Sequence, residues 1–397
     1  MSRRALIVLL VLEVALWGAL IGAGGLFRDG PNGRTLSVDY AVFLSGARLL
    51  QTGGNPYSTT ALYNTEYRML HRQGIAATPH KSLVLLGNPP ILYWALQPLT
   101  GYPYRVTASL WVAAMAVFTL VGFLCAVAGA GCRRVLLPAA TYVLMPQTAL
   151  VIAYGNITAL VFAALGAGYL LAPTVPSLAG VILVLCWLKP QVGLPFVLLI
   201  LLFRSRRRLP LVAGFGIGTL AFAIANLVLG LTVLHEWVSG LTAFSASLAS
   251  QPNLASLSGL YGPVASGPAR LVIEVAVVLV AMCLGAYALK HRHRTIAWLW
   301  IAWFLAVPYA HFPDEIVFSI PLLPVLRRPA GSTLAIVYAL FLSVALFPTI
   351  HGVSLLPIPL LAIAAVLYMK RNSPGAREPG DMGRMSPKTT PVPEAGQ

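Results

Sequence analysis

Eleven of the 397 residues are Asp or Glu, so the groups able to move a proton are quickly enumerated. Glu378, Asp381 and Glu394 fall in a polar C-terminal stretch, while Glu13 and Glu274 lie inside apolar runs, where we expect no basic partner. A carboxyl in such a run is either a functional group or a protonated packing residue. Asp39 stands elsewhere, near the head of LSVDYAVFLSGARLLQTGGNPY (36–57), the first long polar and aromatic stretch after the first apolar run. Val38, Tyr40 and Val42 flank it and would partly desolvate it. Desolvation raises a carboxylate's pKa toward the range where it can take a proton from a hydroxyl. A second concentration of reactive groups is Tyr309, Ala310, His311, Phe312, Pro313, Asp314 and Glu315. An imidazole, a phenol and two carboxylates this close can orient a substrate, act as acid or base, or bind a metal. Asp314 is equally well placed to cap a following helix.

Two further clusters offer hydrogen-bond donors. In Tyr154, Gly155 and Asn156 the glycine permits a tight break between helices, and the amide offers a donor and an acceptor at a helix start; an ordinary capped turn needs the same residues. In Leu188, Lys189, Pro190 and Gln191 a lone lysine separates two short apolar segments, and the proline prevents a continuous helix. A buried ammonium requires an anion, and a phosphate head group is the one a membrane supplies most readily. The plainer reading is a lysine snorkelling to the surface. Arg48, Tyr57, Gln191, Asn253, Tyr309 and Asp314, with Arg270 as a further cation, complete the polar set expected around a substrate. His, Cys and carboxylates nowhere fall into metal-ligand spacing, so neither a metal nor another cofactor is expected.

The elements that must hold these groups are membrane helices. The chain is 58% hydrophobic and 10% charged, with mean hydropathy +0.81, and no soluble domain of this size has that composition. Apolar runs of spanning length recur from end to end, broken by Pro, Gly and Arg clusters. Ala5 to Phe27 is too long for the apolar core of a signal peptide and lacks a small-residue cleavage site, so it reads as a retained first span. The net charge of +16 is not gathered on a soluble face, which argues against a nucleic-acid partner. Instead Arg3 and Arg4, Arg133 and Arg134, Arg204 to Arg208, Lys290 to Arg294, Arg327 and Arg328, and the tail punctuate the apolar runs. The positive-inside rule puts these loops in the cytoplasm. The four cysteines (Cys125, Cys132, Cys186, Cys283) read as packing residues without a disulfide framework.

Taken in order, the runs predict an all-α polytopic membrane protein of about 12 crossings, with both termini inside and no internal repeat. Residues 1–371 form a single membrane domain, and 372–397 a disordered cytoplasmic tail. Two long loops, about 28–83 and 232–268, face outward, the first with helices near Tyr40 to Leu50 and Thr60 to Gln73. The helix carrying Asp39 has the alternation of a segment lying along the interface. Val84 to Leu99, interrupted by Asn88, Pro89, Pro90 and Pro98, reads as a re-entrant or interfacial segment.

The chain resembles glycosyltransferase family 87 of the GT-C superfamily, polytopic enzymes that use polyprenyl-phosphate sugars as donors. The likeness runs from Asp39 to about Leu326. It rests on VDYAVFLSGARLLQTGGNPY, NPPILYWALQPL, YGNITALVFAAL, LKPQVGLPFVLLILLFRSRRR, QPNLASLSGLYG and VPYAHFPDEIVFSIPLL, in that order. The resemblance implies a GT-C-like bundle in a bacterial cytoplasmic membrane with its active site on the extracytoplasmic side. It implies inverting transfer of a sugar, mannose first and arabinofuranose second, to a glycolipid or glycan acceptor. Asp39 matches the family's base at the start of the first outer loop, and His311 matches a histidine of the late outer hairpin. Where the family pattern has an aromatic-Asp pair after that histidine, this chain has Phe312, Pro313 and Asp314. A lipid-linked sugar transporter shares the broken helices and polar midplane groups, but inverted halves are absent from the sequence. A structural envelope subunit is the third reading.

Overall fold

A computed structural model describes residues 37–75, 87–131, 142, 145–204, 207–248, 254–262, 265, 267–290, 297–326, 349–350, 353–354 and 357–372. The first apolar run with Glu13, residue Asn253, most of the expected hairpin at 333–369, and the tail beyond 372 lie outside the described residues. What is described is helical, apart from a two-residue antiparallel ribbon, β1 (Thr349–Ile350) with β2 (Val353–Ser354).

The polar stretch after the first apolar run folds as two short helices, as its pattern predicts. Helix α1 (Val38–Gln51) ends at Thr52, where Gly53 takes a positive φ and Gly54 donates back to Leu49. An Asx turn follows: the Asn55 carboxamide oxygen accepts from the N–H groups of Tyr57 and Ser58 at 2.7 and 3.1 Å. Ser58 then caps α2 (Thr59–His71) by accepting from Ala61. The proline-broken segment is helical over only α3 (Pro90–Leu96) and a 3-10 turn at Gln97–Leu99, too short to cross a bilayer.

Three described helices are long and apolar enough to cross: α4 (Tyr104–Gly129), α9 (Arg208–Val228) and α12 (Gly267–Lys290). They present Leu110, Ile217, Leu220, Leu271 and Val272 at 61 to 69% exposure, which suits hydrocarbon and not water. Between them in sequence lie α5 (Pro146–Tyr154), α6 (Thr158–Leu171), α7 (Pro176–Leu183) with its 3-10 extension Val184–Leu188, and α8 (Pro190–Phe203). After α9 come α10 (Leu231–Leu248), a short turn α11 (Ser258–Tyr261), α13 (Ala297–Leu305), a 3-10 helix at Phe312–Phe318, α14 (Ser319–Leu326) and α15 (Pro357–Asn372).

Membrane helices gain little from burying apolar surface against one another, so close approach of backbones decides their pairing. Here glycines supply it. A Cβ at Gly166 of α6 would strike the Gly122 backbone of α4, and one at Gly180 of α7 would strike the Leu211 carbonyl of α9. Aromatic side chains fill the deeper core, with Phe196 stacked on Trp300 at 4.5 Å and Phe304 edge-on to Phe318 at 4.6 Å. At the expected cytoplasmic end Arg204 binds the carbonyls of Gly129 and Tyr169 and lies over the Tyr169 ring, locking the ends of α4, α6 and α8.

Two expectations need correction. The first half of the 232–268 loop is the helix α10, whose Trp237 indole donates to Gly87 at 3.0 Å. Ser, Gly and Thr hid an apolar periodicity there. Glu274 does have a basic partner, Arg270 at 2.8 Å, because residues four apart share a helix face.

Candidate functional site

The site begins with how α1 is docked. Ser37, just before it, holds a left-handed φ of 60°, unusual for a residue with a Cβ. Its N–H donates to Ala153 at 3.2 Å, its hydroxyl to the Tyr154 carbonyl at 3.4 Å, and its own carbonyl accepts from the Tyr104 hydroxyl at 3.1 Å. The docking partner is the turn at Gly155, which has φ 64° and takes the Trp111 indole N–H on its carbonyl at 2.8 Å. A Cβ at 155 would collide with the Ser37 hydroxyl and the Trp111 ring. Backbone strain and overpacking of this kind each cost about 1 to 3 kcal/mol. Gly155→Ala should therefore lower the melting temperature by several degrees and displace Asp39, reducing transfer; an unchanged melting curve and rate would show that α1 is not docked through this turn.

Asp39, in the first turn of α1, is thereby brought to Asn156, whose side chain hydrogen-bonds with it. The same Asn156 carboxamide oxygen accepts from the Thr158 backbone N–H at 2.9 Å and from the Lys189 ammonium at 3.3 Å. Lys189 sits where the 3-10 extension of α7 gives way to α8, and Pro190 as the first helical residue makes that break obligatory. The preceding carbonyl, Leu188, is held by the Asn88 amide at 2.7 Å, and the Asn88 carbonyl in turn accepts from the hydroxyls of Tyr57 (2.9 Å) and Tyr93 (3.2 Å).

The sequence led us to expect a lipid phosphate as the anion of Lys189, and the structure places an anion from within the chain against it. Lys189 Nζ lies 2.6 Å from Asp314 Oδ1 and 3.0 Å from Thr158 Oγ1, so with Asn156 all three ammonium protons have acceptors. Both side chains of the pair are buried. A buried pair is tolerable only when its remaining valences are filled, and here they are. Thr158 donates to Asp314 Oδ1 at 2.5 Å, and Asp314 Oδ2 accepts the His311 backbone N–H at 2.9 Å.

That last bond is half of a capping box. Asp314 accepts from the backbone of His311, and the His311 ring accepts from the backbone N–H of Asp314. A ring nitrogen that accepts carries no proton, so the other nitrogen bears the N–H. The hairpin is braced from outside by 254–256: Ala255 donates to Ala310 at 2.7 Å, Ala310 to the Ser256 hydroxyl at 3.1 Å, and Leu254 forms a bridge with His311. Two motifs far apart in sequence, QPNLASLSGLYG and VPYAHFPDE, thus meet as neighbouring backbone. Behind them Glu315 accepts from the buried Gln147 amide at 2.8 Å.

The charges in this cluster are strongly coupled. Burial pushes the Asp39 carboxyl up to about 6; Lys189 opposes this, the Asp314 charge adds to it, and the Asn156 hydrogen bond opposes it. Asp39 nevertheless keeps partial surface access. Burial also acts to raise Asp314, but Lys189, His311 and the hydrogen bonds from Lys189 and Thr158 together hold it below the usual carboxylate range. Burial drives His311 down to about 4, so its ring is neutral at physiological pH.

Asp39, Asn156, Lys189, Asp314 and His311 are therefore neighbours, with Tyr309 in ring contact with His311 at 6.4 Å. Gln191 follows Lys189 into α8 and is half-buried. Tyr57 is one shell out, on the Asn88 carbonyl. Arg48 is not in the cluster: nine residues along α1 from Asp39 puts it about 13 Å away, and its guanidinium donates to the Thr100 carbonyl at 2.7 Å. Arg270 is paired with Glu274. Sequence reasoning passed over Thr158 and Asn88, although both stand in quoted motifs, two residues after Asn156 and directly before Pro89. Among the described residues no three His, Cys, Asp or Glu side chains gather as metal ligands would.

Comparison with known proteins gives one match. The family model for glycosyltransferase family 87 matches residues 87–308, a stretch that holds Asn156, Lys189 and Gln191 and stops just short of His311. No curated protein and no solved structure matches the chain.

Proposed function

Because the chain belongs to glycosyltransferase family 87, whose members are GT-C enzymes using polyprenyl-phosphate sugars, we propose that it transfers mannose from such a donor by inversion, with Asp39 as general base. The observation that carries this reading is the convergence of Asp39 and His311, from opposite ends of the domain, on one buried Lys189–Asp314 pair.

In this reading Asp39 takes the proton of the acceptor hydroxyl as that oxygen bonds to the anomeric carbon. The bond from the anomeric carbon to the phosphate oxygen breaks, and polyprenyl phosphate leaves with the electron pair. Phosphate is a stable leaving group, so the enzyme's work is to activate the acceptor and hold the donor in line. The neutral His311 ring has the right form to donate one hydrogen bond to the donor's phosphate or sugar. Lys189, its three protons engaged, acts at range: its charge favours the phosphate and its pairing with Asp314 fixes the turn that carries His311. Tyr309, Gln191, Tyr57 and Asn253 are proposed as pocket groups around the sugar. The acceptor is a glycolipid or glycan, the active site faces the extracytoplasmic side of a bacterial cytoplasmic membrane, and the full domain makes about 12 crossings. Arabinofuranose is the alternative sugar.

The pH profile tests the base. Asp39 must be ionised to accept a proton, so kcat/KM should rise with pH through about 6 and level off above 7. At pH 5 it should be about a tenth of the plateau. His311 adds no inflection there, because its ring stays neutral down to about 4. A profile flat from pH 5 to 8 would remove Asp39 from the role.

A further inference from the structure

At the far end of α1 from Asp39 lies an open cleft of about 710 Å³ between α1, α2 and the turn after α3. Arg48, Arg68 and Arg72 all line it, and no carboxylate is among its lining residues. Arg68, in the last turn of α2, and Arg72, its C-cap, are one helical turn apart and place two positive charges on the same wall. Arg48 faces them from α1 and is held in place by the Thr100 carbonyl at 2.7 Å. Burial, and after it the charge of Arg72, depress its pKa, so the guanidinium groups sense one another across the gap. Gln51 accepts from the Thr100 hydroxyl at 2.7 Å through its oxygen, which leaves its amide NH2 as a further donor on the wall. The cleft is thus lined by donors and positive charge.

Its depth in the membrane is indicated by the aromatic side chains around it. Tyr67, Trp94 and Tyr102 are 46, 52 and 60% exposed. Tyr67 precedes Arg68, Tyr102 follows the lining residue Gly101, and Trp94 is one turn before the lining residue Gln97. Exposed Tyr and Trp are the side chains that favour the level of lipid head groups.

We propose that this cleft is a second anion site, separate from the Asp39 cluster, that takes a phosphate monoester or a diester of net negative charge at the level of the lipid head groups. Arg48 and Arg68 each spend one donor on a backbone carbonyl, at Thr100 and Asn64, and their remaining N–H groups with those of Arg72 suit the oxygens of a phosphate, while the opening lets an acyl chain remain in the bilayer as its head group enters. The site does not depend on the transfer reaction, and its test needs no turnover.

The test is binding of short-chain phosphatidylglycerol, short-chain phosphatidylcholine and inorganic phosphate to the purified full-length protein in dodecyl maltoside, by titration calorimetry. Phosphatidylglycerol should bind at least fivefold more tightly than phosphatidylcholine. The R68Q/R72Q variant should lose at least fivefold of that affinity; both side chains are exposed, so packing survives their replacement. Inorganic phosphate binding as tightly as phosphatidylglycerol would assign the site to free phosphate; weaker binding would assign it to the lipid head group. Raising NaCl from about 0.05 to 0.5 M should weaken wild-type binding, since the attraction is between charges open to solvent. Equal binding of the two lipids, a loss under fivefold in the variant, or salt-independent binding would overturn the proposal.

Discussion

Asp39→Asn is expected to lower the rate of sugar transfer by about 10² to 10⁴, the usual loss when a positioned base is removed, while donor binding is retained. The same variant should melt at a higher temperature than wild type at pH 7. The carboxyl's folded pKa, about 6, lies above the ordinary carboxylate value, so its ionised form is disfavoured by folding. The sign follows: whatever Asp39 contributes to stability is fully present at low pH and is lost as pH rises through 6. Discounted for its partial access to solvent, the strain at neutral pH is on the order of 2 kcal/mol. Asparagine keeps the shape and the hydrogen bond to Asn156 without the charge. Scanning calorimetry together with a single-turnover assay reads both halves, and a variant that is less stable as well as inactive would point to a structural role.

Lys189→Met should have the larger effect on folding. It leaves Asp314 buried with no counter-charge and strips an ammonium donor from Asn156 and Thr158. Breaking one side of a buried pair costs about 3 to 5 kcal/mol, whereas removing both partners is often neutral. The double variant Lys189→Met, Asp314→Asn should therefore recover most of the lost stability, because asparagine can still accept the His311 backbone N–H. It should not recover wild-type activity if the charge assists the departing phosphate. A single variant as stable as wild type would mean that the pair is not formed as a closed unit in the folded protein.

How much of this arrangement was legible beforehand follows from the range of each interaction. Asp39 and His311 stood out because carboxylates and histidines are scarce in so apolar a chain. The break at Lys189 could be read from Pro190, and the non-spanning character of 84–99 from its prolines. The anion of Lys189 could not: Asp314 lies 125 residues away, and a single sequence carries no signal of such a contact. Arg48 was assigned to the substrate by its charge and its helix, yet the distance along α1 takes it away from Asp39, to the cleft between α1 and α2. The Arg270–Glu274 pair was legible in principle from i,i+4 spacing, and reading Glu274 as an isolated intramembrane acid overlooked it. In α10 the small polar residues Ser239, Gly240 and Thr242 read as loop, although Leu231, Leu234, Val238 and Leu241 recur at helical spacing.

The central claim is tested most directly by supplying the purified protein with polyprenyl phosphate carrying radiolabelled mannose, or in parallel radiolabelled arabinose, together with membrane glycolipid acceptors. The account predicts that label from the mannosyl donor becomes covalently attached to the acceptor and that Asp39→Asn, with undiminished donor binding, leaves it on the donor lipid. Label that crosses the bilayer still joined to polyprenyl phosphate, or transfer by the Asn variant within a few-fold of wild type, would contradict it.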